Sequence, residues 1–172
     1  VGWNAARIAA AMDAEVLLLD KSPERLRSLE PQRQGRMVSL VSSDALLQRL
    51  VPTADLLIGA VLVPGGRAPT LVSEELVQQM RAGSVIVDVA IDQGGCIATS
   101  RETSHTEPVF NLHGVQHYAV GNMPGAVPFT STEVTDRPEL LGGLNTADGA
   151  VCHPGVARAL GTTPRHPMAC LR

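Results

Sequence analysis

Aromatic side chains are nearly missing from this sequence, with two Phe, one Trp and one Tyr in 172 residues. A chain of this length can bury one sizeable core, which here must be assembled from Val, Leu, Ile and Ala. That suits helices packed closely on a sheet better than a sandwich built around aromatic rings. No apolar run approaches the length that spans a bilayer, and no signal peptide is visible, so no membrane partner is expected. Basic clusters are lacking too, and the net charge is −3, which argues against a nucleic-acid footprint. Cys96, Cys152 and Cys170 are few, odd in number and without metal-ligand spacing, which points to a reducing compartment and to no metal. None of the five histidines lies near an acid or cysteine at metal spacing either. The expectation is a soluble, cytoplasmic α/β domain. An initial Met is also missing: the chain opens at Val1 and enters a helix within two residues, so it reads as a piece of a longer protein.

What is present is an alternation of helix and strand patterns. An Ala-rich helix is expected over Trp3–Met12 and a short buried strand over Glu15–Asp20. Ser22 and Pro23 then open a helix that runs to Leu29. A strand follows over Arg36–Val41, and a helix capped by Ser43 or Asp44 stops before Pro52. Asp55–Val63 is a second strong strand, broken by Pro64-Gly65-Gly66. A helix from Ser73 to Met80 leads to Gly83–Gly95, GSVIVDVAIDQGG, around which the rest is organised. There Ser84–Ala90 has the length and β-branched content of a strand buried on both faces. Gly94 and Gly95 permit the immediate turn that follows. After a polar loop near Ser100–Glu107, His117–Val120 is a last short strand and Val151–Leu160 a final helix.

Connections this short favour βαβ units, hence a doubly wound parallel sheet of Rossmann type. In such a sheet the first strand is central. A chain that starts at Val1 lacks it, which leaves both neighbouring strands with unpaired backbone groups. The domain is expected over residues 1–132, with 133–172 a shortened C-terminal segment carrying one helix.

Ligands of open parallel sheets sit outside the carboxyl ends of the strands. Asp92 lands there, whereas Asp88 lies inside the apolar run and needs a partner or an altered pKa. Asp92 is therefore the candidate catalytic acid. Gly2 opens a helix 18 residues before Asp20, as the last glycine of a dinucleotide fingerprint would, with Asp20 accepting from both adenosine ribose hydroxyls. An acid there repels a 2′-phosphate and favours NAD over NADP. The competing reading is that Asp20 simply ends a strand before a capped helix. Gly59–Gly66 is a backbone wall against a cofactor or an ordinary strand-to-loop break, and residue types alone favour the break. Asn122-Met123-Pro124-Gly125 either presents an amide and a soft apolar side chain to a nicotinamide or is a structural turn. Of the histidines, only His117, at the start of a strand, has a position from which it could face a site.

Four stretches together resemble the NAD-binding half of L-alanine dehydrogenases: Gly59–Gly66, Arg67-Ala68-Pro69, Val85–Cys96 (VIVDVAIDQGGC) and His117–Thr132 (HYAVGNMPGAVPFTST). The resemblance runs from Val1 to about Thr132 and returns at Leu140–Gly161. It implies that Asp92 is the catalytic aspartate and Asp20 the acid on the adenosine ribose. It places Val1 in the fingerprint loop, with Arg25 and Ser42 as further contacts around the adenosine. Val61 and Leu62 match a wall beside the cofactor, Val89, Ala90, Ile91 and Asp92 a run along it, and Arg101 another contact. Val120, Gly121, Asn122 and Met123 match the segment at the nicotinamide, with Gly121 where alanine is usual. The implied activity is reversible oxidation of L-alanine by NAD to pyruvate and ammonium through an imine that water attacks. The family's catalytic histidine and its carboxylate-binding lysine and arginine belong to an N-terminal substrate domain absent here. The piece as given is therefore expected to be inactive by itself, and a homo-oligomer, a hexamer by resemblance, is expected of the whole. The related NAD-binding subunit of proton-translocating transhydrogenases shares the RAP loop but differs at Ala90–Gly95. It remains the alternative, beside a nucleotide-binding remnant without chemistry. TSTEVTDRPELLGG after Phe129 is much shorter than the family's segment there, which bears on interdomain docking.

Overall fold

A computed structural model describes residues 1–128 together with 146–147 and 150–151. Helix α1 (Gly2–Ala11) buries Ala6 and Ala10, small side chains that allow close approach to strand β1 (Val16–Asp20) and to Met37. Helix α2 (Pro23–Leu29) starts where expected: the Ser22 hydroxyl accepts from the Arg25 N–H and Pro23 occupies the first turn. Strand β2 (Met37–Val41) runs parallel to β1, with Val16 opposite Met37 and Asp20 opposite Val41. Helix α3 (Asp44–Leu50) is capped by the Ser43 hydroxyl, which accepts from the Leu46 N–H.

Strand β3 (Leu56–Gly59) is shorter than the apolar run Asp55–Val63. Its partner β4 (Val85–Asp88) ends opposite Gly59, so the chain beyond Gly59 has no ladder to join. Helix α4 (Glu74–Gln78) lies between them. Ser73 precedes it, but its hydroxyl donates to the Glu75 carboxylate rather than accepting from the backbone, which holds Glu75 below its usual pKa. β4 itself stops at Asp88, two residues short of the strand expected to reach Ala90, and Val89–Gln93 forms a 3₁₀ turn.

Two further strands form a hairpin. β5 (Val109–Leu112) pairs antiparallel with β6 (Val115–Tyr118), and β6 runs parallel to β4. β5 was not foreseen, and β6 begins two residues before the expected strand at His117 and ends at Tyr118 instead of Val120. The two-residue loop His113-Gly114 has φ of 55° and 78°, the left-handed pair that a tight hairpin needs. The sheet is thus mixed, with β5 as its antiparallel edge.

The strand order is β1-β2 in one sheet and β3-β4-β6-β5 in another. Neither β1 nor β3 has a second neighbouring strand among the described residues. Helices and a core of Val51, Val77, Met80, Ile86 and Val115 pack on the larger sheet. Strands β7 (Thr146–Ala147) and β8 (Ala150–Val151) form a small antiparallel pair. The helix expected over 151–160 lies outside the described residues except for Val151, as do His153, His166, Cys152 and Cys170. Among the described residues no helix is long and apolar enough to cross a membrane.

Candidate functional site at the carboxyl edge of the strands

Asp20 ends β1 and is held on both sides. One carboxylate oxygen accepts from the Ser22 N–H at 2.8 Å, and the other faces the Arg25 guanidinium at 3.9 Å. The Asp20 carbonyl accepts from the Ser42 N–H at 2.9 Å. Asp20, Arg25 and Ser42, which are separate in sequence, therefore meet at one edge. The pair with Arg25 is solvent-exposed and adds little stability, so the acid is held by backbone geometry and remains open to a ligand's hydroxyls.

Val1 caps α1 through its carbonyl alone, with no side-chain cap and no acid in the first turn. The N–H groups at this helix start are free of a competing carboxylate, as a site for an anion requires. A methyl on Gly2 would stand 3.2 Å from the Ala60 Cβ. The helix start is therefore placed against Ala60, where the chain leaves β3. Leu62 is exposed, whereas Val61 packs on the core.

Asp88 organises the next turn. Fully buried at the end of β4, its carboxylate accepts from the N–H groups of Ala90 (3.1 Å), Cys96 (3.0 Å) and Ile97 (3.2 Å), with the Cys96 thiol at 3.5 Å. Those three donors fold residues 89–97 around one acid, which satisfies the buried charge. Burial and the nearby Asp88 charge push the Cys96 thiol up to about 12, so it is a packing group and not a nucleophile. Gly94 and Gly95 take φ of 91° and 76°. Side chains there would strike Arg67 and the Asp88 carboxylate.

This turn throws Asp92 outward. Its Oδ1 accepts from the Asn122 N–H at 2.9 Å, which ties the 89–92 run to the 120–123 segment and leaves Oδ2 without a hydrogen bond to a described residue. Asn122 is in the left-handed region at φ 51°, which the bond to Asp92 helps to hold. Gln93, next in sequence, clamps the loop before the RAP stretch: its side chain accepts from the Val63 N–H and donates to the Val63 carbonyl. Its own carbonyl accepts from Ala68. Ala90, Ile91 and Val120 are buried, so only their backbone can face a ligand.

Residues 101–103 run beside the exit of β6, where Thr103 bonds to Ala119 and Gly121. A methyl at Gly121 would collide with the Glu102 side chain. His117 does not face the site: its ring is fully buried. Nδ1 donates to the Val115 carbonyl at 3.0 Å and Nε2 accepts from the Thr99 hydroxyl at 2.8 Å.

Burial lowers the His117 pKa below its usual 6.5. A group with a depressed folded-state pKa binds its proton more readily unfolded when it is a base, so folding stability is complete above about pH 6.5 and declines below it. Thermal unfolding followed from pH 8 to 5 is expected to show this decline, and His117→Gln to make it shallower.

Sequence reasoning foresaw that Asp88 needs partners but not which they are, and it missed the role of Gln93. The first had a visible signal, a carboxylate in an apolar run. The second had none beyond its place beside Asp92. Among the described residues no three His, Cys, Asp or Glu side chains converge as a metal site would need.

Residues 1–138 match the family described as alanine dehydrogenase/PNT, C-terminal domain. The chain belongs to that family. An alanine dehydrogenase of Bacillus subtilis is 46% identical over 94% of this chain and 48% of its own length. One of Halomonas elongata is 44% identical over 94% of this chain and 49% of its own. That alignment is 182 residues long, longer than this chain, so the relative carries residues without counterparts here. A solved L-alanine dehydrogenase superposes with a TM-score of 0.73 at 44% identity, covering 91% of this chain and 49% of its own. A transhydrogenase from Sinorhizobium meliloti gives 0.62 at 28% identity, covering 89% and 46%. The chain spans about half the length of the curated relatives it matches.

Proposed function

We propose that this family member is the NAD-binding half of an alanine dehydrogenase, which converts L-alanine, NAD and water to pyruvate, ammonium and NADH. The observation that carries the reading is the Asp92–Asn122 bond, which closes an acid-bearing turn onto the 120–123 segment at the carboxyl edge of the sheet. Residues 1–132 form the cofactor domain, and 133–172 a shortened segment that follows it. The other half, with the groups that bind the substrate carboxylate, comes from a preceding domain, and the whole works as a cytoplasmic homo-oligomer.

The residues fit the dinucleotide. Asp20 accepts from the adenosine ribose hydroxyls, flanked by Arg25 and Ser42, and the start of α1 at Val1 receives the pyrophosphate. Val61 and Leu62 wall the cofactor, and Val89–Asp92, Arg101 and Val120–Met123 line its nicotinamide half. NAD, when bound, supplies the hydride acceptor. Asp92 orients the substrate amine or the attacking water through Oδ2 and stabilises positive charge on nitrogen, while Oδ1 stays on Asn122. Identity to the transhydrogenase is much lower than to the dehydrogenases, which favours this reading over the docking role.

Absorbance of NADH formed from L-alanine and NAD by the full-length protein tests the activity. Turnover is expected, and hydride exchange between two nucleotides without alanine turnover would support the transhydrogenase role. Nucleotide choice gives a second prediction. Asp20→Ala is expected to weaken NADH binding about tenfold or more, since two charge-assisted hydrogen bonds are lost, and to narrow the preference for NADH over NADPH. A fluorescence titration with both nucleotides checks it.

A further inference from the structure

Arg101 is exposed and forms no ion pair with a described residue, yet it is held in place. Its guanidinium carbon lies 4.4 Å from the centroid of the Phe110 ring. Phe110 stacks in turn on His117, with centroids 4.8 Å apart and planes at 16°. These two residues are directly opposed across the β5–β6 ladder. His117 cannot shift, because both ring nitrogens are engaged by Thr99 and Val115 inside the protein. The column therefore runs from a rigid buried ring through Phe110 to the guanidinium of an exposed arginine. In a chain so poor in aromatics, one of its two Phe residues is spent beneath this arginine. The backbone that carries Arg101 is fixed too, by the Thr103 bonds to Ala119 and Gly121 beside the Asp92–Asn122 contact.

We propose that Phe110 and His117 are positioning residues that hold the Arg101 guanidinium in the orientation in which it contacts the bound dinucleotide. The inference rests on the NAD reading above. A planar guanidinium stacked on a ring keeps its N–H fork in one plane and loses little freedom on binding, which a flexible ammonium cannot match.

NADH titrations of the full-length protein, with melting temperatures for each variant, test it. Arg101→Met is expected to weaken NADH binding about tenfold. Arg101→Lys, a change at an exposed site that keeps the charge, is expected to lose most of the same affinity. Phe110→Leu should weaken binding about two- to fivefold, Phe110→Tyr should retain it, and Phe110→Leu should have no further effect once Arg101 is Met. A Phe110→Leu protein with a lower melting temperature and unchanged NADH affinity overturns the inference. So does full affinity in Arg101→Lys, or an undiminished Phe110→Leu effect in the Arg101→Met background. Should Asp20→Ala also bind NADH like the parent, the NAD reading itself fails; sensitivity to Asp20 with insensitivity to Arg101 and Phe110 removes this inference alone.

Discussion

Asparagine in place of Asp92 is expected to leave NADH affinity nearly unchanged while alanine turnover falls by about 10²–10⁴. The two effects separate because the two carboxylate oxygens have different tasks. Oδ1 accepts from the Asn122 N–H at 2.9 Å, and an asparagine carbonyl can do the same. In the proposed function Oδ2 is the oxygen that faces the substrate, and an amide there carries no negative charge to stabilise a developing cation and takes no proton. Asp92→Ala is expected to differ. It removes the acceptor from Asn122 as well, and a non-glycine residue at φ 51° is then freed to relax. Turnover and NADH affinity should both fall in that variant. Steady-state kinetics with alanine and fluorescence titration with NADH, on both variants of the full-length protein, resolve the pattern. Equal turnover in Asp92→Asn and the parent would remove Asp92 from the chemistry.

Asp88 carries the second large effect, on stability. Its carboxylate is the common acceptor for three N–H groups in a fully buried setting. Asp88→Ala leaves those donors without partners and removes the group around which 89–97 is folded. Each buried unsatisfied donor costs about 1–3 kcal/mol, partly recovered by rearrangement, so a total loss of about 3–5 kcal/mol is expected. Asp88→Asn keeps one acceptor oxygen and should lose less. Cys96→Ala is expected to be milder still, because its thiol is one contact among several. Urea unfolding of the three variants checks the order, and an Asp88→Ala protein within 1 kcal/mol of the parent would refute it.

The contrast between these two acids shows how far the sequence could be read. Their separation, one in an apolar run and one beyond it, was enough to identify Asp92 as the exposed acid and Asp88 as the one needing partners. What the pattern could not give was where those partners lie, since two of the three donors come from residues 96 and 97, beyond the turn. The same limit explains the strand ends. Apolar content carried the strand expectations to Val63 and Ala90, but a strand lasts only as long as its neighbour, and β3 and β4 end together at Gly59 and Asp88. The β5–β6 hairpin escaped notice because His113, not the Asn or Asp usual in such turns, takes the left-handed position before Gly114. Helices were read more accurately. Ser22 and Ser43 cap through local bonds that three or four residues encode completely.

At the site, Asp20 with Arg25 and Ser42 was assembled from separate segments by resemblance, and the structure joins them at one strand edge. The column beneath Arg101 was not legible. His117 and Phe110 meet only because the hairpin sets them opposite each other.

A crystal structure of the full-length protein with NADH tests the central claim most directly. The account predicts both ribose hydroxyls of the adenosine on the Asp20 carboxylate, the pyrophosphate at the start of α1, and the nicotinamide beside Asp92 and residues 120–123. A dinucleotide bound elsewhere, or one whose nicotinamide lies away from Asp92, would contradict it.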